Sequence, residues 1–280
     1  MRIREHMTNP SYCTAKSSRT KTSYFLCYNY SMKKIIFPEL SDNIIAKEAT
    51  SKFADIEFIP ADTLDHAVAM LKNHAADSMI SGLDYASRDV LLAYKHHLQL
   101  ASKFFSSSFI CEKDGKVLAL ADGGVNKEPN ADQLYTIVED TATTFAKYTN
   151  QAPRIAMLSY STNGSGGKNP DLAKIHHVIG QIRDHHPDWL IDGEMQLDAA
   201  IDPQVSAKKF PTSVVQGDAN ILITPDLNSG NILYKSLERF GGFTIAGPLI
   251  QGFTIPLADL SRGSTIEDTI LTIKVLRSLL

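Results

Sequence analysis

Three cysteines in 280 residues, at Cys13, Cys27 and Cys111, are too few and too scattered for a disulfide framework or a set of zinc ligands. No apolar stretch approaches the roughly 20 residues that a membrane helix requires. The body carries no block of like charge, and a formal net charge of −3 offers no basic face for nucleic acid or an anionic membrane. Dinucleotide, Walker A, EF-hand and H-E-x-x-H patterns are all missing, and so are internal repeats and low-complexity segments. What remains is an ordinary globular composition, 43% hydrophobic and 21% charged, long enough for one large domain or two moderate ones. A reducing, cytoplasmic setting fits it best.

Residues 1–31 differ from the rest: they are basic, rich in Ser, Thr and Tyr, and lack periodicity. The apolar centre "YFLCY" is too short for a secretory signal. The expectation is a disordered or non-native tail, with the working chain opening at Met32. From Lys34 onward short apolar runs alternate with amphipathic segments. "KIIFPEL", "IEFIP" and "DSMISG" read as strands, each followed by a helix, with Asp42 and Thr63 as caps of the first two. The same alternation continues through "SSFICE", "KVLALADGG", "RIAMLSY", "ANILITPDL" and "TIAGPLI" to a final helix. Strands alternating with helices predict an α/β fold with a largely parallel sheet, whose ligands sit beyond the carboxyl ends of the strands.

Three strand-to-helix loops therefore carry the functional question. "LSYSTNGSGGKNP" brings the hydroxyls of Ser161, Thr162 and Ser165 together with Gly164 and Gly166, whose backbone N–H groups can turn toward an anion. As a motif it is weak, because a Gly/Ser-rich turn is a plain connection more often than a phosphate cradle. "PDLNSGNILYK" places Gly230 and Asn231 at a helix entry, where a turn glycine and a capping asparagine would serve equally well. In "DLSRGSTIED", Ser264 and Glu267 have capping-box spacing and Asp268 falls in the first helical turn, but capping leaves Ser261 and Arg262 unexplained. The three loops together suggest one shared anion-binding cleft.

Two other groups invite a metal reading. Asp192, Glu194, Asp198 and Asp202 crowd one segment, without calcium-loop spacing; caps and loop contacts are their expected roles. The adjacent pairs His96-His97, His176-His177 and His185-His186 point to different helix faces, so no metal site is assigned.

"RIAMLSYSTNGSG", "PDWLIDGEMQLDAAIDP", "ANILITPDLNSGNILYK", "RFGGFTIAGPLIQGF" and "PLADLSRGSTIED", in that order, closely resemble the carboxyl-terminal half of phosphate acetyltransferases of the phosphate acetyl/butyryl transferase family. The resemblance runs from about Ser108 to the end and continues more weakly through "FPEL" and "ADSMISG". It implies a fold like that of isopropylmalate dehydrogenases, with two α/β domains and a cleft between them. On that basis residues 32–103 plus 252–280 form a shortened first domain and 104–251 the second. It implies acetyl transfer between coenzyme A and inorganic phosphate, with acetyl phosphate as the other substrate, no bound cofactor, no metal, no nucleic acid, no membrane, and a homodimer. Ser261 and Arg262 match the family's pair at the cleft. Asp268 matches the acid proposed to deprotonate the coenzyme A thiol. Ser161, Thr162, Gly164, Ser165, Gly166, Gly230 and Asn231 would hold phosphate and acetyl phosphate.

The chain also departs from the family. Family members usually carry a longer amino-terminal region, most of which is missing between Pro60 and Asp77. The usual arginine of the third helix falls near Leu92, with Arg88 one turn earlier as its expected replacement for coenzyme A binding. Gly123 stands where a cysteine is common. The alternatives are a non-catalytic, regulatory binder of acyl phosphate or coenzyme A, and a transferase for a longer acyl chain such as butyryl.

Overall fold

The computed structural model describes residues 32–280; the expectations for residues 1–31, with Cys13 and Cys27, lie outside them. The first part alternates β1 (Lys33–Ile36), α1 (Ile44–Thr50), β2 (Ile56–Ile59), α2 (Leu64–Lys72), β3 (Ser78–Ser81) and α3 (Ser87–His97), with a 3-10 turn at Pro38–Ser41. A hairpin of β4 (Ser106–Lys113) and β5 (Lys116–Ala121) follows, its two-residue turn made by Asp114 and Gly115 at positive φ. Then come α4 (Ala131–Thr149), β6 (Arg154–Leu158), α5 (Pro170–His185), β7 (Leu190–Met195), α6 (Leu197–Ile201) and α7 (Pro203–Lys209). The chain closes with β8 (Ile221–Ile223), α8 (Leu227–Arg239), β9 (Thr244–Gln251), β10 (Leu257–Asp259) and α9 (Ile266–Leu279).

All ten strands form one sheet in the order β2-β1-β3-β10-β9-β4-β5-β8-β6-β7. It is parallel at both ends and antiparallel only through β10–β9–β4–β5. Central strands such as β3 and β8 are buried along their whole length, as strands covered on both faces must be. Successive residues point to opposite faces. Ile35, Ile80, Ile110, Ile155, Ile221 and Ala258 join one continuous core with α1, α4, α5 and α9. On the other face the core is interrupted. Ile36 and Met79 pack with α2 and α3, Phe109 and Leu120 with α8, and Ala156 and Leu222 with α6. One face thus binds the sheet together, while gaps in the other leave room for a cleft.

Three expected caps move by a residue or more. Asn43, not Asp42, caps α1, because its Oδ1 accepts from the N–H groups of Ile45 (2.9 Å) and Ala46 (3.2 Å). Asp226 caps α8 by accepting from Ser229 N at 2.9 Å, so Gly230 and Asn231 lie inside the helix and Asn231 is no cap. Thr265 caps α9, and its box partner is Asp268 rather than Glu267. Thr63 caps α2 as expected. Two strands, β7 and β10, were not anticipated, since β7 carries acids and glycine and β10 is only three residues long.

Candidate active site

A cleft of about 390 Å³ opens on the interrupted face, between α3 and α8. Its walls come from Ser87 and Leu91 on α3, Asn231, Tyr234 and Lys235 on α8, Pro248 and Ile250 on β9, and Asp259, Ser261 and Arg262 after β10. The loop after β5, Gly123 to Val125, completes it. A larger hollow of about 770 Å³ lies beside α4, bordered by Tyr135, Glu139 and His185, with Phe253 just after β9 on its rim.

Each wall has a local cause. Ser261 and Ser264 close a self-bonded turn: Ser261 N donates to Ser264 Oγ (3.1 Å) and Ser264 N to the Ser261 carbonyl (2.8 Å). That turn leaves Arg262 exposed, without an ion-pair partner among the described residues. Arg239, at the end of α8, reaches back to the Gly263 carbonyl at 3.3 Å and ties the two walls together. Asn231 donates from Nδ2 to the Gly123 carbonyl at 3.1 Å. Gly230 is required by close approach: a Cβ there would lie 2.1 Å from the Asp122 carbonyl oxygen. Asp122 holds the β5 loop, accepting from the N–H groups of Gly124 (2.9 Å), Val125 (3.0 Å) and Asn126 (3.0 Å) and from the Ser107 hydroxyl. With Arg262 and Lys235 open and one acid, Asp259, at its inner wall, the cleft suits an anionic ligand.

Of the expected site residues, the structure brings Ser261, Arg262 and Asn231 together, with Gly230 just behind them. It does not bring in the loop of Ser161, Thr162, Gly164, Ser165 and Gly166. That loop is wrapped around the chain's own Glu194, on the far side of β8. Ser161 Oγ donates to Glu194 Oε1 at 2.7 Å, and Gly164 N donates to the same oxygen at 2.8 Å. Gly166 N in turn donates to Ser161 Oγ at 2.6 Å, Thr162 N to Ser165 Oγ at 3.0 Å, and Gln196 N to Thr162 Oγ1 at 2.9 Å. His176 Nε2 lies 2.6 Å from the other Glu194 oxygen. Burial pushes the Glu194 carboxyl up, but the bonds from Ser161, Gly164 and His176 outweigh it and hold it below the usual range. The loop expected to hold phosphate thus donates two of its hydrogen bonds to the chain's own Glu194. The other three acids cap and brace as expected: Asp202 caps α7, Asp198 meets Lys209, and Asp192 meets Arg183.

Asp268 is also placed away from the expectation. It is buried and does not line the cleft. Oδ1 accepts from Ile245 N (2.8 Å), and Oδ2 accepts from Thr265 N (2.8 Å) and Thr265 Oγ1 (2.7 Å). Both oxygens are spent on α9 and β9. Arg88 is exposed on α3, one position from the Ser87–Leu91 face that borders the cleft, because i and i+4 share a face and i+1 turns about 100° away. Lys235, Tyr234, Asp122 and Asp259 were missed. Only Asp259 carried a signal, by standing next to Leu260-Ser261-Arg262.

The phosphate acetyl/butaryl transferase family model matches residues 45–276. The chain belongs to that family. It is 41% identical over 217 residues to phosphate acetyltransferase of Clostridium acetobutylicum, a match covering 75% of this chain and 65% of that protein. Against phosphate acetyltransferase of Corynebacterium glutamicum the identity is 36% over 245 residues, with 82% and 73% covered. The chain thus spans about two thirds of the length of these relatives. A phosphotransacetylase structure from Streptococcus pyogenes superposes with a TM-score of 0.75 at 30% identity, covering 88% of this chain and 93% of that one.

Proposed function

We propose that this protein is a phosphate acetyltransferase, moving an acetyl group between coenzyme A and inorganic phosphate in the cleft between α3 and α8. The observation that carries the reading is that Arg262, exposed and free of ion pairs among the described residues, shares one cleft with Lys235, Asn231 and Ser261. In the direction of acetyl-CoA synthesis, the coenzyme A sulfur forms a bond to the acetyl carbon. The bond from that carbon to the phosphate oxygen breaks, and phosphate departs. A guanidinium fork can bind the phosphoryl group bidentately and offset charge developing on the leaving oxygen. Lys235 adds a second positive charge, and the Ser261 hydroxyl and Asn231 amide can orient the acetyl phosphate. A thiol of pKa about 8.5 is mostly protonated at neutral pH, so the reaction also needs a base.

The chain's only described cysteine cannot compete with the substrate thiol: Cys111 is buried, and burial pushes its thiol up to about 12. The proposed division into 32–103 plus 252–280 and 104–251 is supported by the cleft itself, which takes Leu91 and Arg262 from one part and Asn231 and Lys235 from the other. We also propose a cytoplasmic homodimer, as the family resemblance implies; light scattering of the purified protein tests the assembly. The activity is tested by following thiol loss when coenzyme A and acetyl phosphate are mixed with the protein, with butyryl phosphate in parallel. Loss of thiol with acetyl phosphate is the expected result. Binding without turnover would make the protein a regulatory homologue, and preference for butyryl phosphate would make it a longer-chain transferase.

A further inference from the structure

The cleft has a charged rim and an apolar interior. Arg262 and Lys235 are exposed at its edge, whereas Leu91, Val125 and Pro248 are half-buried and Ile250 is buried. These four apolar side chains form one strip, and each has a local cause. Pro248 and Ile250 stand two residues apart on β9, so both face the interrupted side of the sheet. Leu91 follows Ser87 by one turn of α3 and packs against the buried cluster that includes Ile250. The loop after β5 brings in Val125, whose N–H donates to Asp122 Oδ1 at 3.0 Å. Its neighbour Gly124 lies against Pro248: a Cβ there would come within 3.4 Å of Pro248 Cγ. Tyr234 adds a wall that cannot yield, because it is buried and stacked on Phe109 with ring centroids 4.1 Å apart.

We propose that this strip seats the acyl group of the substrate, and that Leu91 sets the acyl length the cleft accepts. The proposal rests on the transferase reading above. An acyl phosphate is charged at one end and apolar at the other. With the phosphoryl end held by the exposed guanidinium of Arg262 at the rim, the methyl of an acetyl group points inward, onto Leu91 and Val125. The rest of the strip is fixed by the fold. β9 is paired along both edges, with β10 and with β4, and the Phe109 ring backs Tyr234. Leu91 is the exception: it is half-buried on a helix, so its size can change without opening the sheet. Its branched side chain fills space that an acyl chain two methylenes longer would need, so acetyl is preferred to butyryl. In a hydrophobic pocket each methylene accepted or refused is worth about 10–200-fold in kcat/KM.

The test measures kcat/KM by thiol loss with acetyl phosphate and with butyryl phosphate, for the wild-type chain, Leu91→Ala and Val125→Ala. We expect the wild type to prefer acetyl phosphate. Leu91→Ala removes an isopropyl group and should raise the butyryl-to-acetyl ratio about tenfold or more. Val125→Ala is the smaller cut and should raise it about threefold. The KM for coenzyme A should stay within about threefold in both variants, since neither touches the charged rim. A purely structural Leu91 would lower both rates alike and leave the ratio where it was. If Leu91→Ala does not fold, the ratio in Val125→Ala decides alone. An unmoved ratio in Leu91→Ala overturns the assignment and leaves the transferase standing. An unmoved ratio with a raised KM for coenzyme A overturns it in favour of the cofactor's pantetheine arm as the occupant of the strip. A wild type that uses butyryl phosphate as well as acetyl phosphate overturns the role of Leu91 in setting length. A wild type inactive with both acyl phosphates overturns the transferase reading itself.

Discussion

The loop at Ser161–Gly167 and the loop at Ser261–Ser264 are built from nearly the same materials. Each leaves a strand, each carries serines and glycine, and each precedes a helix. Their states are opposite. In the first, the hydroxyls of Ser161 and Ser165 have partners, and Glu194 accepts from Ser161 and Gly164. In the second, the serines bond to each other, Arg262 is left in the open, and the acid nearest the wall lacks a partner for one oxygen. A loop rich in donors becomes a binding site only where the chain supplies no acceptor of its own. A satisfied loop contributes stability; an unsatisfied one is available to a ligand.

The largest effect that bears on this contrast is expected from Arg262→Ala. Loss of a charge-stabilising group in the reaction centre should lower kcat/KM about 10²–10³-fold, while the melting temperature stays within about 2 °C because nothing buried is lost. A melting point lowered as far as by a core truncation would place Arg262 among the structural residues and end the contrast.

Glu194→Gln should do the reverse. Hydrogen bonds to a buried charge contribute about 1.5–3 kcal/mol, so stability should fall by that order while turnover of the folded protein persists. The pH dependence gives the sign. Because the folded Glu194 is held below its ordinary 4.5, its contribution is present above that value and lost as pH falls through the lower folded value. The melting-point gap between wild type and Glu194→Gln should therefore close on acidification below 4.5. A gap that persists in acid would show that shape, not charge, is what the loop needs.

Asp268→Asn should cost about 1–2 kcal/mol of stability, since an amide can replace only part of the Ile245 and Thr265 contacts. Thiol-loss assays at neutral pH should find turnover nearly intact. A loss of several hundredfold would return Asp268 to the role its family resemblance implies. The smallest effect is expected at Arg88: a single exposed charge beside the cleft is worth up to about 1 kcal/mol, so Arg88→Ala should raise the KM for coenzyme A at most about fivefold. A larger rise would show that α3 presents Arg88 to the bound coenzyme A.

Most of the architecture was legible from periodicity. Apolar runs alternating with amphipathic helices announce a parallel α/β sheet, because only helices can cover both faces of buried strands. The caps of α1 and α9 were legible to within a residue, whereas that of α8 lies five residues before Asn231. Asp42 and Asn43 stand side by side, and spacing alone cannot decide which one turns its oxygen toward the helix. Ser261, Arg262 and Asn231 were also legible, since a helix start needs neither an exposed arginine nor a second hydroxyl.

What the sequence alone could not decide is which loops meet and which donors remain free. That follows from strand order: β10 is inserted between β3 and β9, so Asp259 comes to rest against Gly82 and Glu39, far away along the chain. β7 joins β6, so Glu194 comes to rest against the loop at Ser161. Local residue choice set the elements and their ends through side-chain periodicity and short-range hydrogen bonds. Whether a serine loop is a brace or a site, and whether a carboxyl is a cap or a base, depends on burial and on partners from distant strands, which only the closed sheet brings together.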